Sequence, residues 1–209
     1  MSIDVNYPHP LLGIDEVGAG SLAGPLTACG VVLPQDPQVR NALVAAGARD
    51  SKKMTEGSRQ RVVQECVRLG IWANVVDMDP WRVLNGEMFT AFSRMFDQIV
   101  REARSAFNLK TVLVDGRHRP CMHFRHTAVV GGDNESLSIA VASIFAKEHR
   151  DALMRTLDEE YPLYGFSRHK GYGTPEHLKA IEDYGVTKWH RDWCKPVAKI
   201  RKRQSPSGE

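Results

Sequence analysis

Four carboxylates in this chain have the types and spacing of a hydrolytic metal site. Asp15 and Glu16 close the apolar stretch Leu11, Leu12 and Ile14 and stand just before Gly18, Gly20 and Gly24. Asp115 follows the apolar run 111–114 and precedes Gly116, and Asp133 follows 128–130 and the pair Gly131-Gly132. Acids from three separate strand ends converge if those ends are neighbours in one sheet. Like charges packed together are unfavourable unless a hard cation neutralises them. Oxygen donors of this kind suit Mg²⁺ or Mn²⁺. Two such ions about 3.5–4 Å apart can activate water and stabilise the leaving oxygen in phosphodiester cleavage. Any one of these acids alone also fits a polar turn or a helix cap, so the case rests on the set.

The elements that must position these acids are legible in outline. Apolar runs predict strands ending at Ile14 and spanning 26–33, 71–76, 111–114 and 128–130. A short glycine-rich turn between the first two favours antiparallel pairing. Thr55 is a plausible N-cap for an amphipathic helix carrying Val62, Val63, Cys66 and Val67. Leu84, Met88, Phe92, Met95, Phe96 and Ile99 recur at helical spacing, which predicts one long helix from about Trp81 to Ala103 packed on a sheet. A helix over about 136–160 follows Asp133, then a Gly- and Tyr-rich loop, a short helix at about 175–182, and a Trp- and Lys/Arg-rich end. The class is α/β.

Composition bounds the rest. With 209 residues, 42% of them hydrophobic, the chain can bury one sizeable core with a smaller appendage. A net charge of +3 means that a polyanion must be met by local clusters rather than by the whole surface. Cys29, Cys66, Cys121 and Cys194 lie far apart, without metal-ligand spacing, as reduced thiols of a cytoplasmic protein would. The N-terminus lacks the pattern of a secretory signal, and no apolar run reaches the length of a membrane span. The tail 201–209 has a disordered composition.

The runs GIDEVG, LAGP, DSKKMT, LVDG, GGDNESLSIAVASIFAKEHRD, YGFSRHKGYGTPEHLKAI and HRDW, in that order over Leu11 to Trp193, resemble bacterial ribonuclease HII. The resemblance implies a ribonuclease H-like fold in a single catalytic domain, 1–209. A central mixed sheet with flanking helices would occupy about 11–160, and a small helical substrate-binding part about 161–200. It implies hydrolysis of RNA strands in RNA/DNA hybrids and cleavage on the 5′ side of ribonucleotides embedded in DNA. The products would carry a 3′-hydroxyl and a 5′-phosphate, as in removal of misincorporated ribonucleotides and primers. By position, Asp15, Glu16, Asp115 and Asp133 match the family's metal-binding and catalytic acids, served by Mg²⁺ or Mn²⁺. The partners implied are RNA/DNA hybrid and ribonucleotide-containing duplex, with no membrane and no obligate protein partner, the protein being a monomer.

The remaining blocks read as nucleic-acid contacts. Lys52 and Lys53 suit phosphates. Tyr172, between Gly171 and Gly173, matches the family tyrosine that packs on the deoxyribose after the ribonucleotide, and His169, Lys170, His190 and Arg191 add positive or switchable charge nearby. Ser136, Lys147, His169 and His190 fall in matching blocks without an assigned role. Telling RNA from DNA requires reading the 2′-hydroxyl, which the backbone of Gly18-Ala19-Gly20 can approach closely. Here the chain departs from the family that it resembles, whose turn normally reads Gly-Arg-Gly. The glycines survive and the guanidinium does not, so a charge-assisted phosphate contact is lost. A competing reading is a protein that grips hybrids or junctions without turning them over.

Overall fold

The computed structural model describes residues 2–117 and 123–204. Its five-stranded sheet has the order β3-β2-β1-β4-β5, built from β1 (Leu11–Val17), β2 (Leu26–Leu33), β3 (Trp72–Met78), β4 (Thr111–Asp115) and β5 (Thr127–Val129). β1 pairs antiparallel with β2 and parallel with β4, and β4 pairs parallel with β5, so the sheet is mixed. The helices are α1 (Pro37–Ala45), α2 (Glu56–Arg68), α3 (Met88–Ala106), α4 (Gly132–Glu135), α5 (Leu137–Glu160), α6 (Phe166–His169), α7 (Pro175–Tyr184) and α8 (Lys195–Gln204). This mixed sheet with flanking helices is the α/β architecture expected from the sequence.

The chain divides into two compact units. The first comprises Met1–Val17, Thr27–Val76 and Phe92–His149; the second comprises Gly18–Leu26, Asp77–Ala91 and Arg150–Glu209. In the first, side chains alternate across the sheet, as strand geometry demands. Cys29, Val31 and Leu33 of β2 join Leu43, Val62, Cys66 and the α5 residues Leu137, Val141 and Ile144 in one core cluster. On the opposite face Gly30 leaves room for Ile99 of α3: a Cβ there would lie 2.3 Å from the Ile99 side chain. Gly13 does the same against α5, where a Cβ would lie 2.5 Å from the Ser138 backbone. The second unit has its own core of Leu22, Ala23, Met154, Leu157, Tyr164, Phe166, Ile181, Val197 and Ile200.

Several local expectations change. The helix expected from Trp81 begins at Met88 instead, preceded by two 3₁₀ turns, because Asn85 (φ 50°) and Gly86 (φ 72°) take left-handed angles that no α-helix continues through. A Cβ on Gly86 would meet Trp193 at 2.6 Å, and Leu84 is exposed rather than core. Helix α1 was not anticipated, although its start is a regular one: Asp36 accepts from the Gln38 N–H at 2.8 Å and Pro37 occupies the first turn. The one-turn helix α6 lies within the stretch expected to be all loop. At the tail, Arg201–Gln204 continue α8, which Val197 and Ile200 anchor in the core at helical spacing; residues 205–209 lie outside the described residues. Among the described residues no helix is long and apolar enough to cross a membrane.

The two kinds of glycine predict opposite effects. Gly13→Ala forces a methyl group into backbone that cannot yield and should cost about 3 kcal/mol. Gly57→Ala, in the first turns of α2 with open space around it, should stabilise by about 0.5–1 kcal/mol. Denaturant titration of both variants checks the signs.

Candidate active site

Register brings two of the acids together. Ile14 pairs with Val114 in the parallel β1/β4 ladder, so the next residues, Asp15 and Asp115, emerge side by side. Asp133 does not sit at a strand end as expected. Gly131 turns the chain through a left-handed angle (φ 66°) and Asp133 lies in the single-turn α4 that follows. The two sections are tied by the Gly132 N–H, which donates to Asp115 Oδ1 at 2.7 Å. A Cβ on Gly132 would lie 2.6 Å from Ile139 and 3.1 Å from that same oxygen, which is why the position needs glycine. Asp15 and Asp133 are buried, and Glu16 and Asp115 are half-buried. Asp15 accepts from the Glu16 N–H at 2.7 Å.

Burial, then the Asp115 charge, then Glu16, push the Asp15 carboxyl up to about 8; a hydrogen bond from Ser143 works against them. Asp115 is also raised, by burial first and by Asp133, against the Gly132 N–H. Ser143 Oγ lies 2.9 Å from Ser51 Oγ, which links Asp15 to the Asp-Ser-Lys-Lys turn. There Asp50 caps the Lys52 N–H at 3.0 Å. Lys52 Nζ stands 3.6 Å from Asp133 Oδ2. Partial burial disfavours its ammonium, yet Asp133 and Asp15 outweigh this and hold its pKa above the ordinary value. Lys53 Nζ donates to Asn134 Oδ1 at 3.1 Å and pairs with Asp50 at 3.2 Å. Both lysine side chains are mostly exposed. Cys29, opposite Asp15 across the β1/β2 ladder, is fully buried, and burial followed by the Asp15 charge drives its thiol far above the ordinary value.

These four acids offer only hard oxygen donors, which fits a divalent cation such as Mg²⁺ or Mn²⁺. Among the described residues no group of three or more His, Cys, Asp or Glu side chains is close enough to hold a metal ion as the side chains stand. An open array is what Mg²⁺ accepts, since it keeps several waters and takes phosphate oxygens from a substrate.

The expected substrate contacts other than Lys52 and Lys53 lie in the second unit. Tyr172 is exposed between its glycines, and Ala19 and Gly20 are exposed at the tip of the glycine turn. Lys170 is half-buried in a left-handed conformation (φ 51°), its ammonium donating to the Ser167 carbonyl. Arg191 is not on the surface, which corrects its assignment as a nucleic-acid contact. It is fully buried and donates to the carbonyls of Gly18 (2.5 Å), Ala19 (3.4 Å), Ser21 (3.0 Å), Gly24 (2.9 Å) and Pro25 (3.0 Å). Burial, then the charge of Arg150, push it down to about 9. Arg150, also buried, donates to Pro25, Ala23 and Lys170 carbonyls. A Cβ on Gly18 (φ 92°) would meet Arg150 Nε at 2.5 Å. The two arginines therefore hold the glycine turn from beneath. Sequence reasoning missed this role, as it missed Ser143 and Arg150, because an arginine in a basic stretch carries no mark of burial. Ser136, previously unassigned, is structural: its hydroxyl donates to Asp4 Oδ1 at 2.6 Å and receives the Ile139 N–H at 3.3 Å.

The sequence model of the family described as Ribonuclease HII matches residues 12–199. A Ribonuclease HII from Francisella tularensis subsp. mediasiatica (strain FSC147) is 39% identical over 187 residues, covering 90% of this chain and 96% of that one. The chain belongs to the ribonuclease HII family. It is thus a ribonuclease H-type endonuclease, a hydrolase acting on RNA in RNA/DNA hybrids. The RNase HII of Archaeoglobus fulgidus, solved as a PCNA:RNase HII complex, is similar with a TM-score of 0.74 at 23% identity, over 91% of this chain and 96% of that one. Bst-RNase HIII, solved in complex with Mn²⁺, is similar with a TM-score of 0.70 at 16% identity, over 93% of this chain and 70% of that one. These two structures speak to the ribonuclease HII fold alone.

The raised Asp15 carboxyl has a definite sign. With a folded value of about 8 against an ordinary 3.8, the folded protein keeps a proton that the unfolded chain releases. This group therefore withdraws stability from the metal-free protein as pH rises from about 4 to about 8. Asp15→Asn should raise the melting temperature at pH 8–9 in chelator and leave it nearly unchanged at pH 4. Thermal melts across that range test it.

Proposed function

We propose that this ribonuclease HII uses Asp15, Glu16, Asp115 and Asp133 to hold two divalent ions, Mg²⁺ or Mn²⁺. The observation that carries this reading is the adjacency of Asp15 and Asp115 at the end of the β1/β4 ladder, where burial and then the Asp115 charge hold the Asp15 carboxyl well above its ordinary value. When bound, the ions supply an activated water and neutralise the leaving oxygen. The chain's own residues do the rest. Asp15 gives up its proton as a cation arrives, so metal affinity increases with pH. Lys52 and Lys53, exposed beside Asp133 and Asn134, hold substrate phosphates and supply a salt-dependent share of affinity. Cleavage falls on the 5′ side of a ribonucleotide and leaves a 3′-hydroxyl and a 5′-phosphate.

Recognition of the junction is assigned to the second unit. The backbone of Gly18-Ala19-Gly20 reads the 2′-hydroxyl, and Tyr172 packs on the following deoxyribose, with Lys170 adding charge nearby. Ala19 removes the phosphate contact that relatives make with arginine, which weakens binding or shifts preference between single ribonucleotides and longer hybrids. The protein works as a cytoplasmic monomer that the chemistry does not oblige to take a protein partner. The PCNA complex of the Archaeoglobus relative is an instance of this fold meeting one.

Three measurements test the reading. A labelled duplex with one ribonucleotide should be cut on its 5′ side with Mg²⁺ or Mn²⁺, and an all-DNA duplex should stay intact; a folded protein that cuts neither this duplex nor a long hybrid with either metal sinks the proposal. Asp15→Asn should lower cleavage by roughly two orders of magnitude, the scale for losing a preorganised charge at a reacting centre, and should weaken the rise in melting temperature on adding metal. Ala19→Arg should tighten binding and steepen its salt dependence by about one phosphate contact; unchanged affinity and cleavage pattern would remove Ala19 from the account.

A further inference from the structure

Three histidines of the second unit, His169, His177 and His190, form a cluster that neither the acids nor the assigned substrate contacts use. His177 and His190 are 0% and 3% exposed, packed beside Phe166 and Tyr164. His169 stacks on His177 with ring centroids 4.3 Å apart.

Their hydrogen bonds leave one arrangement of protons. The Thr187 N–H donates to His190 Nδ1 at 2.9 Å, so that nitrogen carries a lone pair and the His190 proton sits on Nε2. His190 Nε2–H faces His177 Nε2 at 3.2 Å, which must accept, and the His177 proton is left on Nδ1. His177 Nδ1–H then donates to the Tyr172 carbonyl at 2.9 Å. A side arm runs parallel: the Gly171 N–H donates to His169 Nδ1 at 3.2 Å, and His169 Nε2–H to the Tyr164 carbonyl at 2.8 Å. Burial in the first place holds His177 near 4 and His190 near 3, so both rings stay neutral at physiological pH. A proton on His177 Nε2 would set N–H against N–H across a buried gap.

The chain at Tyr172 needs such a hold. Gly171 takes φ 79° and closes against the glycine turn, its carbonyl accepting from the Leu22 N–H at 2.8 Å. On the other side Gly173 carries no side chain to fix its angles. Between them the Tyr172 carbonyl receives the Thr174 N–H at 2.9 Å and the His177 Nδ1–H, so both of its lone pairs are engaged.

We propose that His190 and His177 are positioning residues for substrate recognition, a one-way relay of neutral imidazoles that fixes the Tyr172 backbone and with it the ring presented to the sugar. The role rests on the reading of Tyr172 as a sugar contact, and the experiment separates the two. Long-range ¹H–¹⁵N spectra of the wild-type protein should show the Nδ1–H tautomer for His177 and the Nε2–H tautomer for His190; the opposite tautomer at either ring overturns the relay. On a duplex with a single ribonucleotide, His177→Phe keeps an aromatic ring, slightly larger than imidazole, and removes both nitrogens. It should raise KM roughly five- to tenfold, the scale of one lost buried hydrogen bond, with kcat within about twofold. His177→Asn, which keeps a donor near Nδ1, should restore most of that loss. In a Tyr172→Ala background His177→Phe should have no further effect on KM. Additive losses, or a fall in kcat at constant KM, overturn the positioning role. Tyr172→Ala leaving KM unchanged by itself overturns the sugar-contact reading instead, and the tautomers still report on the relay. They do so even if a His177 variant does not fold.

Discussion

Like charges held close where burial already penalises charge form the constraint on which the rest of the first unit turns. Asp15 and Asp115 are neighbours because β1 and β4 run parallel in one register, and that register is set by apolar side chains that must face the two layers of helices. The Gly132 N–H and the Ser143 hydroxyl ease the strain without removing it, since Asp15 remains far above its ordinary carboxyl value. A fold that only had to be stable would place an apolar residue there. Retaining the acids is intelligible as preparation for a cation that the protein itself does not supply.

In the second unit the opposite charge is buried for a different purpose. Arg150 and Arg191 point their guanidinium groups at backbone carbonyls rather than at acids. A guanidinium offers five donors in a rigid plane, so one side chain can fix a turn that glycine would otherwise leave loose. The carbonyls of Gly18, Ala19 and Ser21 are thereby committed inward. The cations that shape this turn thus lie beneath it, and the hold on the loop needs no side chain at position 19.

Much of this was legible in the sequence, and the exceptions share a cause. Strands rich in Val, Leu and Ile with acids at their ends, and helix α2 behind its Thr55 cap, follow from local pattern. Asp15, Asp115 and Asp133 stood out as candidates because each follows an apolar run close to glycine. The long helix was misread at its start because Leu84 and Met88 keep the helical period while Asn85 and Gly86 break the backbone, and period reports side chains rather than φ angles. Arg191 was misread because burial of a charged residue depends on carbonyls brought to it from residues more than 160 positions away. His177 went unremarked for the same reason: its partner His190 is thirteen residues on, and only the fold makes them neighbours.

The buried thiol of Cys29 bears on the choice of metal. It lies directly across the ladder from Asp15, near enough for that carboxylate's charge to act on it, and it is kept as a neutral thiol. Soft and borderline ions such as zinc and copper seek thiolate, the form that this environment suppresses. The same burial that makes Asp15 reluctant to ionise thus keeps the neighbouring sulfur in its poorly ligating thiol form, so that what Asp15 and its neighbouring acids can offer a cation is oxygen.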